Sequence, residues 1–341
     1  MNFKRISVYS CEIGMKLAED IYNKYGAVVV PMDTILDEQF IEKIKNLDIT
    51  RVKIYDGVLK EDPHAEAKVK YAHNADVIKD VLHNLSVGKD VNMSAVNQVT
   101  QALGTTFENP TSVIKCLNDV RGFDQYTYSH SVNVSLLSML LARWAKLGPG
   151  KVSEIAKAGL LHDIGKAKID PSIINKPGKL TEAEFNEIKM HPVIAYRELQ
   201  KTDVSKNIST GVLMHHEKED GTGYPMNAKG SQIPEYAKII TIVDIYDAMT
   251  SDRVYQKKDS PFKVLARIQS ENFGKLDVKL LNLFIYNLVN YYIGEYVELN
   301  TGETGEIVYV DPANPLYPLI RVDNVILDLS KENDVSMVRL I

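Results

Sequence analysis

The feature that most constrains this chain is a set of seven potential metal-binding side chains in its middle: His130, His162, Asp163, His191, His215, His216 and Asp244. From His130 to His162 is 32 residues, from Asp163 to His191 is 28, from His191 to His215 is 24, and from His216 to Asp244 is 28. Each step is the length of one helix plus one connection. Facing helices of a bundle can then each supply one or two side chains to a common internal site. Ala237, Ile240, Thr241, Asp244 and Ala248 form a largely apolar helical stripe, which puts Asp244 on an inward face. A carboxylate there is costly unless it is paired or metal-bound. His162-Asp163 closes the apolar run Ala158–Leu161, and a helix end or kink can turn both side chains inward. A carboxylate has two oxygens, so Asp163 can bridge two ions. Any one of these residues is ordinary as a satisfied core histidine or a capping aspartate. Seven in this order favour a shared site, because charged groups are rarely buried unpaired.

The 341 residues suggest about two domains with a small appendage. Residues 1–60 read as a small α+β unit. It contains a β-type run at Ala27–Pro31, a helix with Phe40, Ile41 and Ile44 on one face behind Asp37, and an alternating strand Arg51–Tyr55 closed by a turn at Asp56-Gly57. Residues 61–122 read as connecting helices, with Val77, Ile78, Val81 and Leu82 at helical spacing. Residues 123–293 are mainly helical and carry all seven candidates. Helices are expected at Val132–Trp144, Val152–His162 (stopped by Gly165), after a capping box at Thr181–Glu184, at Tyr236–Met249 and at Leu280–Tyr292. Residues 294–341 carry short strand-like runs at Tyr296–Leu299, 305–310 and 319–322, separated by Gly302, Gly305 and Pro312, and read as a small β-barrel-like tail. Every candidate ligand precedes residue 245, so removing this tail is expected to leave the metal-binding unit folded. The fold class is therefore mainly α, a helical bundle flanked by an α+β unit and a β-rich tail.

The motifs resemble those of a known family. His162-Asp163-Ile164-Gly165-Lys166 is similar to the signature of the HD superfamily of metal-dependent phosphohydrolases, and His215-His216-Glu217 through Gly223-Tyr224-Pro225 to the second signature of its HD-GYP subfamily. Tyr126–Val134 resembles that subfamily's opening motif and Val243–Arg253 its closing one. The resemblance covers about residues 110–290 and implies an HD-type helical bundle that hydrolyses cyclic di-GMP to the linear dinucleotide pGpG or to GMP. It implies two divalent ions, iron or manganese. One is held by His130, His162, Asp163 and Asp244, the other by Asp163, His191, His215 and His216, with Asp163 as bridge. The glutamate that holds a third ion in some members, one turn before His130, is Tyr126 here; Asp124 and Asp252 lie near in sequence or motif, and a count of two is expected. The family also implies contacts with diguanylate cyclase (GGDEF) domains, and a homodimer is compatible with it.

The chemistry fits these residue types. Two ions a few ångströms apart lower the pKa of a bridging water, whose hydroxide attacks the phosphodiester, and hold the phosphate oxygens. Imidazole-rich sites suit iron, manganese or zinc better than magnesium. Lys166, one turn from His162, is placed to meet the attacked phosphate. Gly221-Thr222-Gly223 permits tight turns and Pro225 fixes φ, giving a shaped loop in which Tyr224 can bond phosphate or line a guanine pocket. Arg253 is a candidate phosphate clamp, and Asp247 is spaced to orient a ligand. The net charge of −5 without a basic tract argues against nucleic-acid binding. Apolar runs such as Val28–Val30 are too short to span a membrane, and the N-terminus leads into no apolar signal core. With only Cys11 and Cys116, these features point to the cytoplasm. Two other readings stay open: an HD phosphohydrolase of another cyclic nucleotide, and a non-catalytic cyclic di-GMP receptor, which should have lost some ligands.

Overall fold

The computed structural model describes residues 3–47, 49–58, 63–107, 113–114, 116–117, 126–250, 260–332 and 334–341. The chain opens with β1 (Phe3–Ser7), β2 (Met15–Leu17), β3 (Ile21–Tyr22), β4 (Val28–Val30), α1 (Glu38–Lys45) and β5 (Arg51–Val58). Strand β5 lies between β1 and β2 in an antiparallel sheet, while β3 and β4 pair separately. Asp37 caps α1 by accepting the Phe40 N–H at 2.8 Å. The turn expected at Asp56-Gly57 is absent. The strand runs on to Val58 because Met15 of β2 pairs with Val58, a partner that alternation along one strand does not reveal.

Two long helices follow, α2 (Pro63–Ser86) and α3 (Met93–Thr106). They pack against each other and onto the bundle, with Tyr71, Ile78, Val81, Leu85, Val96 and Leu103 buried. The bundle consists of α4 (Tyr126–Trp144), α5 (Pro149–Leu161), a 3-10 turn (Ile164–Lys168), α6 (Pro171–Ile174), α7 (Glu182–Ile188), α8 (His191–Leu199), α9 (Lys206–Met214), α10 (Glu235–Thr250), α11 (Pro261–Glu271) and α12 (Val278–Asn290). Helix α4 is buried on nearly every side from His130 to Ala142 and is the central helix, touching α2, α5, α10 and α12. Prolines open α5, α6 and α11, where a missing N–H costs nothing. The capping box forms, with the Thr181 hydroxyl accepting the Glu184 N–H and the Glu184 carboxylate accepting the Thr181 N–H. Among the described residues no helix is long and apolar enough to cross a membrane.

The tail is an antiparallel sheet in the order β10-β6-β7-β8-β9, built from β6 (Tyr296–Leu299), β7 (Thr304–Tyr309), β8 (Leu319–Val322), β9 (Val325–Asp328) and β10 (Met337–Leu340). The sequence shows β6, β7 and β8. It hides β9 and β10, which are edge strands with Val325 and Val338 exposed and no clean alternation. One hydrophobic core runs through all parts of the molecule: Val8 and Ile54, Leu136 and Leu140, Phe284 and Leu288, Val297 and Ile307 belong to it. Asn23 donates to the Val308 carbonyl at 2.5 Å and Lys43 pairs with Glu295 at 3.1 Å, so the N-terminal unit also rests on the tail. Removing residues 294–341 would take Val297 and Ile307 out of this core, and the expected survival of the truncated bundle turns on that loss. Ile307→Ala should cost about 2–5 kcal/mol and lower the midpoint of a single denaturant transition followed by helical circular dichroism. A loss confined to a separate minor transition would contradict the shared core.

Candidate metal centre

The local folding explains how residues far apart in sequence meet. Helix α5 ends at Leu161, His162 keeps a helical backbone, and Asp163 (φ −101°, ψ 5°) opens the 3-10 turn. This change of helix type turns two adjacent side chains to the same side. Gly165 then lets the turn lie directly on the start of α8: a Cβ there would sit 2.0 Å from the His191 carbonyl oxygen. His191 begins α8, His215 is the C-cap of α9 with His216 next, His130 lies near the start of α4, and Asp244 is on the inner face of α10.

The seven side chains form two adjoining sets. Asp163, His191, His215 and His216 present ligand atoms within 4.8 Å of one another, and so do His130, His162 and Asp244. Asp163 stands between the sets. Its Oδ1 is 3.2 Å from His191 Nε2, while its Oδ2 is 3.3 Å from His162 Nε2 and 3.7 Å from His130 Nε2. Asp244 Oδ1 lies 3.1 Å from His130 Nε2 and 3.8 Å from His162 Nε2.

Three of the rings are held in one way. His162, His191 and His215 each place Nδ1 at 2.7 Å from the carbonyl oxygen three residues earlier, those of Gly159, Ile188 and Val212. A carbonyl only accepts, so Nδ1 carries the proton, and in the neutral ring Nε2 presents a lone pair to the site. His191 Nε2 and His215 Nε2 face each other at 3.3 Å. His162 Nε2 and Asp163 Oδ1 are buried and make no hydrogen bond. Converging buried lone pairs beside two carboxylates are satisfied by divalent cations, and imidazole with carboxylate is a donor set that first-row metals accept.

His130 is held differently, with Nδ1 2.7 Å from Asp247 Oδ2. Burial disfavours its charge, but hydrogen bonds and attraction from Asp244 and Asp247 outweigh this, and its pKa is pushed up to about 10. His215 goes the other way: burial and the neighbouring His216 and His162 hold it well below the ordinary histidine range. Burial likewise pushes His216 down to about 3. Burial opposes the charged form of both aspartates. Asp163 is nevertheless held well below the carboxylate range by His162 and Lys166, and Asp244 by its bond to His130 and by His162.

Lys166 Nζ lies 2.5 Å from Asp163 Oδ2, the oxygen that faces His162 and His130. The loop carrying Gly223, Tyr224 and Pro225 folds back on the histidine pair. The Tyr224 N–H donates to the His216 carbonyl at 3.2 Å, its ring lies 4.7 Å from the His216 ring, and the Tyr224–Pro225 peptide is cis. Gly223 has no room for a side chain, since a Cβ would come within 2.4 Å of Glu217 Cα. Burial and the negative charges of Asp163 and Asp244 push the Tyr224 phenol up, so it stays a hydrogen-bond donor. Arg253, Asp124 and Asp252 lie outside the described residues, and of Tyr126 only its place at the start of α4 is described. Sequence reasoning missed Glu217, whose buried carboxylate accepts the N–H groups of Met226 (2.5 Å) and Ala228 (3.0 Å) and so pins the loop. It also missed Asn133, which donates to Asp247 Oδ1 at 2.9 Å. An asparagine inside the apolar run Val132–Leu137 was the available signal.

Comparison with known proteins agrees with this architecture. Residues 117–280 match the HD domain family. A cyclic di-GMP phosphodiesterase of Pseudomonas aeruginosa is 35% identical over 229 residues, 67% of this chain and 55% of that protein. A 3'3'-cGAMP-specific phosphodiesterase of Vibrio cholerae is 38% identical over 147 residues, 43% of this chain and 32% of that protein. The structure of an HDG"Y"P protein from Bdellovibrio bacteriovorus superposes with a TM-score of 0.56 at 16% identity, covering 83% of this chain and 98% of that one, and shares the fold. Residues 117–280 are thus those of an HD-domain protein. The chain spans about half the length of the curated relatives it matches.

The electrostatics lead to a pH dependence. In the metal-free chain His130 keeps its proton at neutral pH, because its pKa is raised from 6.5 to about 10. Coordination through Nε2 requires that nitrogen to be bare, so a metal entering on this side expels a proton. Affinity should therefore rise with pH, by up to about tenfold per unit for one released proton, and level off above about 10. Proton release during a manganese titration in weak buffer checks this, and binding without release at pH 7.5 would contradict it.

Proposed function

We propose that the chain is a metal-dependent phosphodiesterase of cyclic di-GMP, yielding pGpG, GMP or both. The observation that carries the reading is Asp163, whose two oxygens address two different sets of donors. One ion would be held by His130, His162, Asp163 and Asp244, the other by Asp163, His191, His215 and His216. Iron or manganese suits these donors best, and four protein ligands apiece leave room for water and substrate oxygens. When bound, such ions supply Lewis acidity at the phosphate and activation of the attacking water.

The chain's own residues then have definite tasks. Asp163 and Asp244 bring negative charge that offsets the cations, and the backbone-held rings of His162, His191 and His215 fix the donor geometry. Lys166, beside Asp163, directs an ammonium toward a phosphate bound at the site and stabilises charge building on its oxygens. Tyr224 donates its phenolic proton to a phosphate oxygen or closes the guanine pocket, on a loop shaped by Gly223 and Pro225. Arg253 remains a proposed clamp from the closing motif. Residues 123–293 are the proposed catalytic unit, with 1–60 and 294–341 as accessories joined through the helices of 61–122. A cytoplasmic setting, diguanylate cyclase (GGDEF) domains as partners and a homodimer complete the proposal.

The similarity to the Vibrio cGAMP-specific enzyme favours a second reading, a mixed cyclic dinucleotide as preferred substrate. A turnover panel of cyclic di-GMP, 3'3'-cGAMP and cyclic di-AMP on anaerobically purified protein decides between them; faster hydrolysis of the mixed dinucleotide replaces the first assignment. Asp163→Ala should abolish hydrolysis and lower metal content together, and a folded Asp163→Ala chain with near-normal turnover would overturn the two-metal reading. Lys166→Ala should retain the metals while kcat falls roughly 10²-fold, as for a lost transition-state donor; lost metal with an unchanged rate per metal would refute that role.

A further inference from the structure

A buried chain of hydrogen bonds leads from the metal centre out of the bundle. Beyond His130, Asp247 Oδ2 meets the ring Nδ1 at 2.7 Å, and Asp247 Oδ1 accepts from Asn133 Nδ2 at 2.9 Å. Asn133 Oδ1 in turn accepts from the hydroxyl of Tyr71 at 2.6 Å, and that hydroxyl also lies 3.3 Å from the Ser129 carbonyl oxygen. Tyr71, Asn133, Asp247 and His130 are all buried, at 4%, 5%, 1% and 8% exposure. Tyr71 does not belong to the bundle helices that carry the ligands. It stands on α2, which follows the N-terminal sheet and packs on both α4 and the 3-10 turn bearing Lys166.

We infer that Tyr71 is a positioning residue for the His130 half of the metal centre, acting through Asn133 and Asp247. The inference rests on the two-metal reading. An amide side chain can sit either way round, and the two orientations differ only in which atom donates. The Asp247 carboxylate only accepts, so it selects the orientation with Nδ2 toward it, and the Tyr71 hydroxyl donates to the Oδ1 that then faces α2, anchoring the amide at its far end. Nδ2 holds one carboxylate oxygen, which fixes the other against His130 Nδ1. That bond sets the ring's tilt and leaves Nε2 directed at Asp244 and Asp163. Removing the hydroxyl takes away the amide's anchor on α2 and loosens, two links on, the aim of the ring. The set formed by His191, His215 and His216 has no link in this chain, since His191 and His215 are held by backbone carbonyls. The effect of Tyr71 therefore falls mainly on one ion.

The experiment is a manganese titration of the chelator-stripped 341-residue chain, reading free manganese by electron paramagnetic resonance. Wild type should bind in two classes. Tyr71→Phe should weaken one class several-fold, less than the roughly 10- to 100-fold expected of Asp247→Asn, which removes a direct partner of a ligand. The other class should stay within twofold. Combining Tyr71→Phe with Asp247→Asn should weaken binding no further than Asp247→Asn alone, because both substitutions break one chain. Asn133→Ala interrupts the same chain nearer the site and supplies the reading if Tyr71→Phe does not yield folded protein. Equal weakening of both classes, unchanged affinities, or additive losses in the double variant would overturn the inference while leaving the two-metal reading intact. Absence of manganese binding by wild type would overturn both.

Discussion

The structure depends on the cost of burying charge and lone pairs. Two carboxylates and five imidazoles converge where little water reaches them, and a folded chain tolerates that only if each group finds a counterpart. Asp163 bears most of this demand. It faces His191 with one oxygen and His162, His130 and Lys166 with the other. The helix junction at residues 161–164, the bare Cα of Gly165 and the opening of α8 at His191 are all arranged around that carboxylate. Without cations the site compensates internally, through a protonated His130 between Asp244 and Asp247 and through Lys166 against Asp163. On the proposed function, metal entry would exchange these internal partners for cations.

Much of the site was legible in the sequence because its parts obey local rules. Helix-plus-connection spacing brings the histidines to one end of the bundle, and the apolar stripe around Asp244 points inward. The adjacent His162 and Asp163 needed only a helix end to share a face. What stayed hidden depends on partners distant in sequence. Asn133 and Asp247 are 114 residues apart, and nothing in the spacing of either shows the bond between them. Tyr71 looks like one more apolar position of a connecting helix until its hydroxyl is seen against Asn133. Strands β9 and β10 were missed because an edge strand buries only part of one face and so loses the alternation that marks a central strand.

The accessory segments share a core with the bundle. A change from helical to strand-like patterning near residue 294 marks a change of secondary structure but not a gap in the core. Ile307 and Val297 pack in the same apolar cluster as Phe284 and Leu288, and the N-terminal unit reaches the tail through Asn23 and Lys43. Composition reports what each segment is made of; the contacts that join segments are set by which faces are left apolar.

The four histidines with a resolved ring-nitrogen anchor fall into two kinds of mounting. For His162, His191 and His215 the anchor is the main chain three residues earlier, so no single side-chain substitution removes it without rebuilding a helix end. For His130 the anchor is a side chain, Asp247, itself held by another. Three of these mountings, that of His162 beside His130 included, are thus hard-wired by the backbone, and that of His130 is adjustable by ordinary point substitution. Under the proposed two-metal reading, a point substitution at Asp247 would re-aim His130, whereas re-aiming His162, His191 or His215 would need a helix end rebuilt.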